Sequence, residues 1–309
     1  MAFRAPSGSP PELAWRQRRD TRSKSGSSGG PALPEVSLSE INGVRYLHLG
    51  TPWVQGAMRI RQPLVLELEY IQRMMLWLLW RDDLEAQLAA PESDPVTSSS
   101  PAADPPGHAL LEPPGTPWRV VQLGLGAGAL TRFAAQRLQA RTLAVELNPA
   151  VIAANRRHFA LPEDGATLRV VHADAAAWLA AAPPASVEAL QVDLYDHEAA
   201  APVLDSFEFY RACRRVLVPG GGMCVNLFGR DSAFDRSMTQ MALAFGPENL
   251  GHLPPTLEGN TVAFAYNGLD QPLPWDAAVM RDRASQIEAL LGLPAPRWVR
   301  AWRPWEAPR

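Results

Sequence analysis

The sequence predicts an α/β protein in which a mostly parallel sheet carries helices on both faces and follows a small β-hairpin-rich domain. From Trp118 onward, short apolar runs typical of strands alternate with runs typical of helices, as in parallel sheets with crossover helices. Upstream, two alternating runs flank Asn42 and Gly43, a dipeptide typical of hairpin turns. The proline-rich stretch 91–117 separates the two patterns and predicts a linker or insertion.

The parallel part contains five predicted strands, and each of the first four is followed by a predicted helix. A further strand, NTVAFAYN, is expected to pair with a partner near NLGHLP after a helix at about 232–245. Five parallel strands closed by a late hairpin are typical of the class I methyltransferase-like, Rossmann-type fold. The five strands are WRVVQLG, RTLAVE, TLRVV, VEALQVD and GGMCVNLF.

Composition and pattern divide the rest of the chain. Residues 1–34 are polar and rich in Ser, Gly and Pro, which predicts a disordered tail. Residues 35–90 are the predicted N-terminal β domain, with strands in VSLSEI, VRYLHL and PWVQGAMRI and one helix from about Leu66 to Ala90. After the insertion, residues 118–309 are the predicted catalytic domain.

The residue counts exclude several kinds of chemistry. Only Lys24 among the 29 lysines and arginines is a lysine, and its surroundings, SKSGSSGG, cannot bury an amine. Lysine-dependent phosphate loops and Schiff-base catalysis are therefore excluded. Cys213 and Cys224 form no CxxC pair, and the six histidines show no metal-binding spacing. We therefore expect no metal and no disulfide framework.

Charge and hydropathy argue against nucleic-acid and membrane partners. The formal net charge is −3, which implies no general affinity for nucleic acid. The amino terminus has no apolar leader segment. The apolar run IQRMMLWLLW is half of the roughly 20 residues needed to span a bilayer. We expect a cytoplasmic protein with neither type of partner.

A glycine-rich turn follows the first parallel strand, where doubly wound sheets bind their ligands. Gly124, Gly126 and Gly128 form the pattern GxGxG, whereas dinucleotide-binding folds prefer GxGxxG. Glycines here let the backbone approach a ligand closely. The loop alone is weak evidence, because a tight turn into a helix also uses glycine.

Acidic residues end the next two strands. Glu146 lies 22 residues after Gly124, where a carboxylate can accept both ribose hydroxyls of an adenosine. Asp174 can accept from an adenine amino group while the backbone of Ala175 donates to a ring nitrogen. Glu146 could instead be a surface acid, and Asp174 could cap the next helix. The combination predicts a slot for an S-adenosyl ligand rather than for NAD.

The fourth parallel strand ends in the most polar segment of the chain. Asp193 is followed by Asp196, His197 and Glu198. An acidic cluster at a strand end suits an amine, and a carboxylate can take the proton from an attacking ammonium. A solvated acidic loop is the other interpretation.

The stretch 193–224, DLYDHEAAAPVLDSFEFYRACRRVLVPGGGMC, resembles the DxxDP…FY…C…LxPGG stretch of spermidine synthases. The segments GLGAG and LELEY are similar to the GGGDGG and DExxY segments of that family. The resemblance implies a catalytic role for Asp193 and a polyamine-binding role for Asp196. It also implies that Tyr70 and Gln55 line the substrate pocket.

The resemblance further implies aminopropyl transfer from decarboxylated S-adenosylmethionine to a diamine or polyamine, without a metal. It matches Glu146 and Asp174 to the family's ribose and adenine acids and implies pairing of two copies through the N-terminal domain. The family's loop aspartate is Ala127 here, and the proline of DxxDP is His197.

Two other functions stay open on the same fold. One is a methyltransferase that uses S-adenosylmethionine, although Gln122 replaces the acid usual two positions before the first loop glycine. The other is a non-catalytic S-adenosyl-binding homologue. Aminopropyl transfer predicts methylthioadenosine as a product, methyl transfer predicts S-adenosylhomocysteine, and a non-catalytic homologue predicts no product.

Overall fold

The computed structural model begins with a three-stranded antiparallel sheet made of β1 (Val36–Ile41), β2 (Val44–Leu49) and β3 (Gly56–Arg59). Asn42 and Gly43 both have positive φ, +53° and +78°, as a two-residue hairpin turn requires. The predicted hairpin and third strand are confirmed. The structure describes residues 33–89, 106–111, 117–194, 206–228, 231–269 and 271–306.

The single helix predicted from Leu66 to Ala90 is wrong. The chain forms α1 (Glu69–Arg73), a 3-10 turn at Leu76–Trp80 and α2 (Leu84–Ala89). All five side chains of the 3-10 turn are buried. An amphipathic α-helix has a polar face that faces solvent, and a segment that is buried on every side has none. Packing of its side chains therefore determines the backbone conformation of this segment.

An eight-stranded sheet forms the centre of the molecule, with strand order β11-β9-β10-β8-β7-β4-β5-β6. The five strands from β8 to β6 are parallel, and β10, β9 and β11 are antiparallel. This is the predicted methyltransferase-like arrangement. The strands are β4 (Arg119–Leu123), β5 (Arg141–Glu146), β6 (Leu168–His172), β7 (Val187–Val192), β8 (Leu217–Phe228), β9 (Leu250–His252), β10 (Asn260–Tyr266) and β11 (Arg303–Pro304).

Helices cover both faces of this sheet. Along β4, Val120 joins one buried apolar cluster and Val121 joins the other, so alternate side chains enter different layers. The sequence analysis did not predict α8 or α9, which precede the short edge strand β11. The helices are α3 (Ala129–Arg132), α4 (Pro149–His158), α5 (Ala175–Ala181), α6 (Phe207–Val216), α7 (Asp231–Phe245), α8 (Ala277–Leu291) and α9 (Ala295–Ala301).

The predicted disordered tail and the 91–117 insertion lie mostly outside the described residues and stay predictions. At the end of the insertion, Leu111 is buried and accepts a hydrogen bond from Arg119 on β4. Within the described part of the chain, no helix is both long and apolar enough to cross a membrane.

Candidate active site

The parallel strands bring three predicted site elements to one edge of the sheet. Strands β5, β4 and β7 are neighbours in the sheet. Their carboxyl ends therefore bring three elements side by side: Glu146, the loop that starts at Gly124, and Asp193. In doubly wound sheets, this carboxyl edge is where ligands bind.

The glycine loop has a backbone that only glycine adopts readily. Gly124, Gly126 and Gly128 have φ values of +84°, +52° and +66°. A β-carbon on Gly124 would lie 2.1 Å from the carbonyl oxygen of Asp193, so the loop and the end of β7 touch. Any side chain at 124 would separate the two, which explains the glycine there.

Glu146 contacts the loop directly. Its Oε2 accepts the backbone N–H of Leu125 at 2.8 Å, and its Oε1 accepts that of Asn148 at 2.8 Å. Burial raises the pKa of Glu146, and these hydrogen bonds offset part of the effect. The backbone N–H of Leu147 also donates to this carboxylate, so three of its about four acceptor positions are used and one stays available to a ribose hydroxyl.

Asp174 and Ala175 begin α5 at the end of β6. The Asp174 side chain accepts the N–H of Ala177 at 2.9 Å and so caps the helix, one of its two predicted roles. The capping bond uses one of about four acceptor positions on the carboxylate, so adenine binding remains compatible with it. Asp174 is exposed, whereas Ala175 is buried.

Asp193 is held by two side chains from distant parts of the sequence. Its Oδ1 accepts from Asn226 Nδ2 at 2.8 Å, and the hydroxyl of Tyr70 lies 3.4 Å from its Oδ2. The oxygen of the Asn226 side chain accepts in turn from Asn260 Nδ2 at 3.1 Å. The structure thus brings together Tyr70 on α1, Asn226 on β8 and Asn260 on β10.

The protein surroundings of Asp193 favour its protonated form more strongly than bulk water would. Burial raises the pKa of Asp193, and the hydrogen bonds from Asn226 and Tyr70 offset only part of that change. Both of these partners are neutral. A carboxylate with a raised pKa is a stronger proton acceptor, as general-base catalysis near neutral pH requires.

Sequence reasoning missed Asn226 and Asn260. Asn226 is buried and interrupts the apolar run MCVNLF, which is a signal that a strand position faces a polar partner. The identity of that partner depends on the order of the strands. Only the sheet shows that β7 and β10 flank β8.

Gln55 and Ala127 meet where the segment before β3 crosses the glycine loop. A β-carbon on Gly126 would lie 3.0 Å from the carbonyl oxygen of Gln55. One on Gly56 would lie 2.6 Å from both the Cβ and the backbone nitrogen of Ala127. The side chain of Ala127 is therefore buried against the backbone of Gly56 at the start of β3.

Asp196 lies outside the described residues, as do His197 and Glu198. Its predicted role in amine binding stays a prediction. Among the residues that the structure describes, no group of three or more His, Cys, Asp or Glu side chains could hold a metal.

Comparison with known proteins shows the fold. Residues 120–221 match the family model of a methyltransferase domain. A probable spermidine synthase from Corynebacterium glutamicum has a TM-score of 0.59 at 18% identity, over 88% of this chain and 93% of that one. Human methyltransferase-like protein 13, solved with S-adenosylhomocysteine, has a TM-score of 0.56 at 18% identity, over 78% and 96%. These likenesses define the fold of this chain as methyltransferase-like and Rossmann-type.

A sequence relative identifies the family. The polyamine aminopropyltransferase of Chromobacterium violaceum is 30% identical over 263 residues, which are 85% of this chain and 87% of the relative. The chain belongs to the polyamine aminopropyltransferase family. The predicted resemblance to spermidine synthases is confirmed, and Ala127 marks a divergent member.

Proposed function

We propose that this chain transfers an aminopropyl group from decarboxylated S-adenosylmethionine to a diamine or polyamine. The observation that carries the proposal is the contact between Gly124 and Asp193, which joins an adenosine-type loop to a partly buried carboxylate. Family membership supports the same reaction. The acceptor is a small amine, and its identity belongs to the proposal.

The reaction is a displacement at the carbon next to the sulfonium. The acceptor nitrogen forms a bond to that carbon, the carbon–sulfur bond breaks, and its electron pair stays on sulfur to give methylthioadenosine. Asp193 removes the proton from the acceptor ammonium, so that the nitrogen lone pair is free to attack. The sulfonium is already a good leaving group, and the protein contributes mainly alignment and deprotonation.

Each neighbour of Asp193 has a part in this scheme. Asn226 holds Oδ1, which leaves Oδ2 for the acceptor amine, and Tyr70 lies on that same side. Glu146 binds a ribose hydroxyl, and Asp174 and Ala175 contact the adenine. The glycines of the loop let the donor lie close to the backbone, and Gln55 lies across that loop.

The donor's amino group meets a neutral residue at position 127. Ala127 is 3% exposed and packs against Gly56, so this position offers no carboxylate to an ammonium. A missing charge-assisted hydrogen bond lowers affinity by about 1.5–3 kcal/mol. We therefore propose weaker donor binding than in relatives that have the loop aspartate.

The test is the product formed from each donor. With decarboxylated S-adenosylmethionine and putrescine, the purified chain should release methylthioadenosine together with spermidine. Absence of methylthioadenosine with every diamine and polyamine offered contradicts the proposal. The methyltransferase alternative has its own support in the match at 120–221. It predicts S-adenosylhomocysteine from S-adenosylmethionine instead.

Three further statements accompany the proposal. Pairing of two copies, a cytoplasmic location and independence from metals stay predictions. Sedimentation of the purified protein tests the first, and activity after treatment with a chelator tests the last.

A further inference from the structure

An exposed tryptophan lies at the candidate site. Trp53 is 62% exposed, although large aromatic side chains are usually buried. Its main chain is nevertheless held in place: His48 Nδ1 lies 3.1 Å from the Trp53 carbonyl oxygen, and the N–H of Gln55 donates to Leu47 at 2.8 Å. The fold thus presents this ring on a fixed turn between β2 and β3.

The ring of Trp53 contacts Phe228, the last residue of β8. Their centroids are 6.4 Å apart and the rings are inclined at 67°, an edge-to-face pair. Phe228 lies two residues after Asn226, so both side chains are on the same face of the strand. Asn226 is the residue that holds Asp193.

The order of the strands locates this pair relative to Asp193. β7 lies between β8 and β4, so Asp193 lies between Phe228 and the glycine loop. The segment 53–56 contacts both sides, because Trp53 meets Phe228 while Gln55 and Gly56 meet the loop. That segment therefore spans from β8 to the glycine loop across the end of β7, the strand that Asp193 follows.

We propose that Trp53 and Phe228 form the outer wall of the acceptor pocket and bind the end of the amine that does not react. The inference rests on the proposed function and names the part of the site that selects its acceptor. The acceptor's reacting nitrogen lies at Asp193, and its methylene chain and second ammonium pack against the aromatic wall. An edge-to-face pair leaves a face of an exposed ring open, and an indole face attracts an ammonium.

The chemistry predicts a preference among amines. A diamine places its second ammonium at the indole ring, whereas a monoamine of the same length has only a methyl group there. Removal of the ring should weaken putrescine binding by about tenfold. Binding of butylamine should change much less, because only apolar contact is lost.

The experiment is calorimetric titration of the whole chain with putrescine and with butylamine, each with and without methylthioadenosine. The variants are Trp53→Ala and Trp53→Phe. Trp275→Ala serves as the matched control, since Trp275 is also partly exposed (39%) and its ring partners are Trp302 and Trp80 rather than Phe228. Titration with methylthioadenosine alone reports whether each variant keeps the donor slot.

The expected result is loss of putrescine affinity in Trp53→Ala, recovery of most of it in Trp53→Phe, and wild-type affinity in Trp275→Ala. Unchanged putrescine binding in Trp53→Ala overturns the inference, as does a wild-type chain that binds no putrescine. Binding needs no turnover, so a chain that binds putrescine through Trp53 and forms no methylthioadenosine refutes aminopropyl transfer alone.

Discussion

Strand β7 has a carboxyl group near each end, and the protein holds the two in different ways. Glu188 at the amino end faces the guanidinium of Arg119 through two side-chain hydrogen bonds and also accepts the Arg119 backbone N–H at 2.7 Å. Asp193, just beyond the carboxyl end, is held within the described residues by two neutral side chains, Asn226 on β8 and Tyr70 on α1.

The difference separates a structural carboxylate from one that is available for chemistry. Separating the buried pair of Glu188 and Arg119 would leave a charge without compensation, so this pair ties β4 to β7. Asp193 has neutral partners and a pKa raised by burial, so it can exchange a proton within the folded state.

The largest effect is expected at Asp193. Replacement by Asn keeps the shape and removes the proton acceptor, so kcat for methylthioadenosine formation should fall by about 10²- to 10⁴-fold. Binding of methylthioadenosine, measured by calorimetry, should change little. If Asp193→Asn retains kcat, the contrast between the two carboxylates has no catalytic meaning.

The stability of the same variant supplies a control. Burial raises the pKa of Asp193 in the folded state, so stability is lost progressively as the pH rises from the unfolded pKa of about 4 to that raised pKa, and the loss is complete above it. Asp193→Asn should therefore be at least as stable as wild type at pH 7. The advantage should vanish below about pH 4, the ordinary pKa of an unfolded aspartate. Denaturant titrations at both pH values measure it.

Glu188→Gln should show the opposite pattern. The change leaves the Arg119 guanidinium buried without its counter-charge, and the free energy of unfolding should fall by about 3 kcal/mol. The kcat of the folded fraction should stay near wild type. In the double variant Arg119→Met/Glu188→Leu, most of the lost stability should return; a double variant as unstable as Glu188→Gln contradicts the pairing argument.

Asn226→Ala should shift the pH profile. The variant loses a hydrogen bond that lowers the pKa of Asp193, so the acid limb of kcat against pH should move to higher pH. Near that limb, kcat should fall by about tenfold. Asn260→Ala, one hydrogen bond further away, should shift the limb in the same direction by less. Identical profiles in all three proteins would show that the two asparagines are only structural.

The smallest effect is expected at Glu146. Glu146→Gln replaces a charged acceptor of a ribose hydroxyl by a neutral one, and the KM for the donor should rise about fivefold with little change in kcat. Glu163→Gln is the matched control, since that carboxylate is on the surface. A fall in kcat without a change in KM would refute the ribose role.

Most of the fold was predictable because local patterns coincide with the final structure. Continuous apolar runs predicted all five parallel strands, and the rule for strand ends placed the loop, Glu146 and Asp193 together. The segment 66–90 was mispredicted, because complete burial of Leu76–Trp80 overrides helical periodicity. Tyr70 came only from the family resemblance, since no local pattern links it to Asp193, 123 residues away.

The contact between Gly56 and Ala127 couples the glycine loop to the N-terminal sheet. A β-carbon on Gly56 would lie 2.6 Å from both the Cβ and the backbone nitrogen of Ala127, so even alanine at position 56 requires β3 or the loop to move. The backbone that is proposed to contact the donor is thus held in place by a strand that precedes the parallel sheet in the sequence.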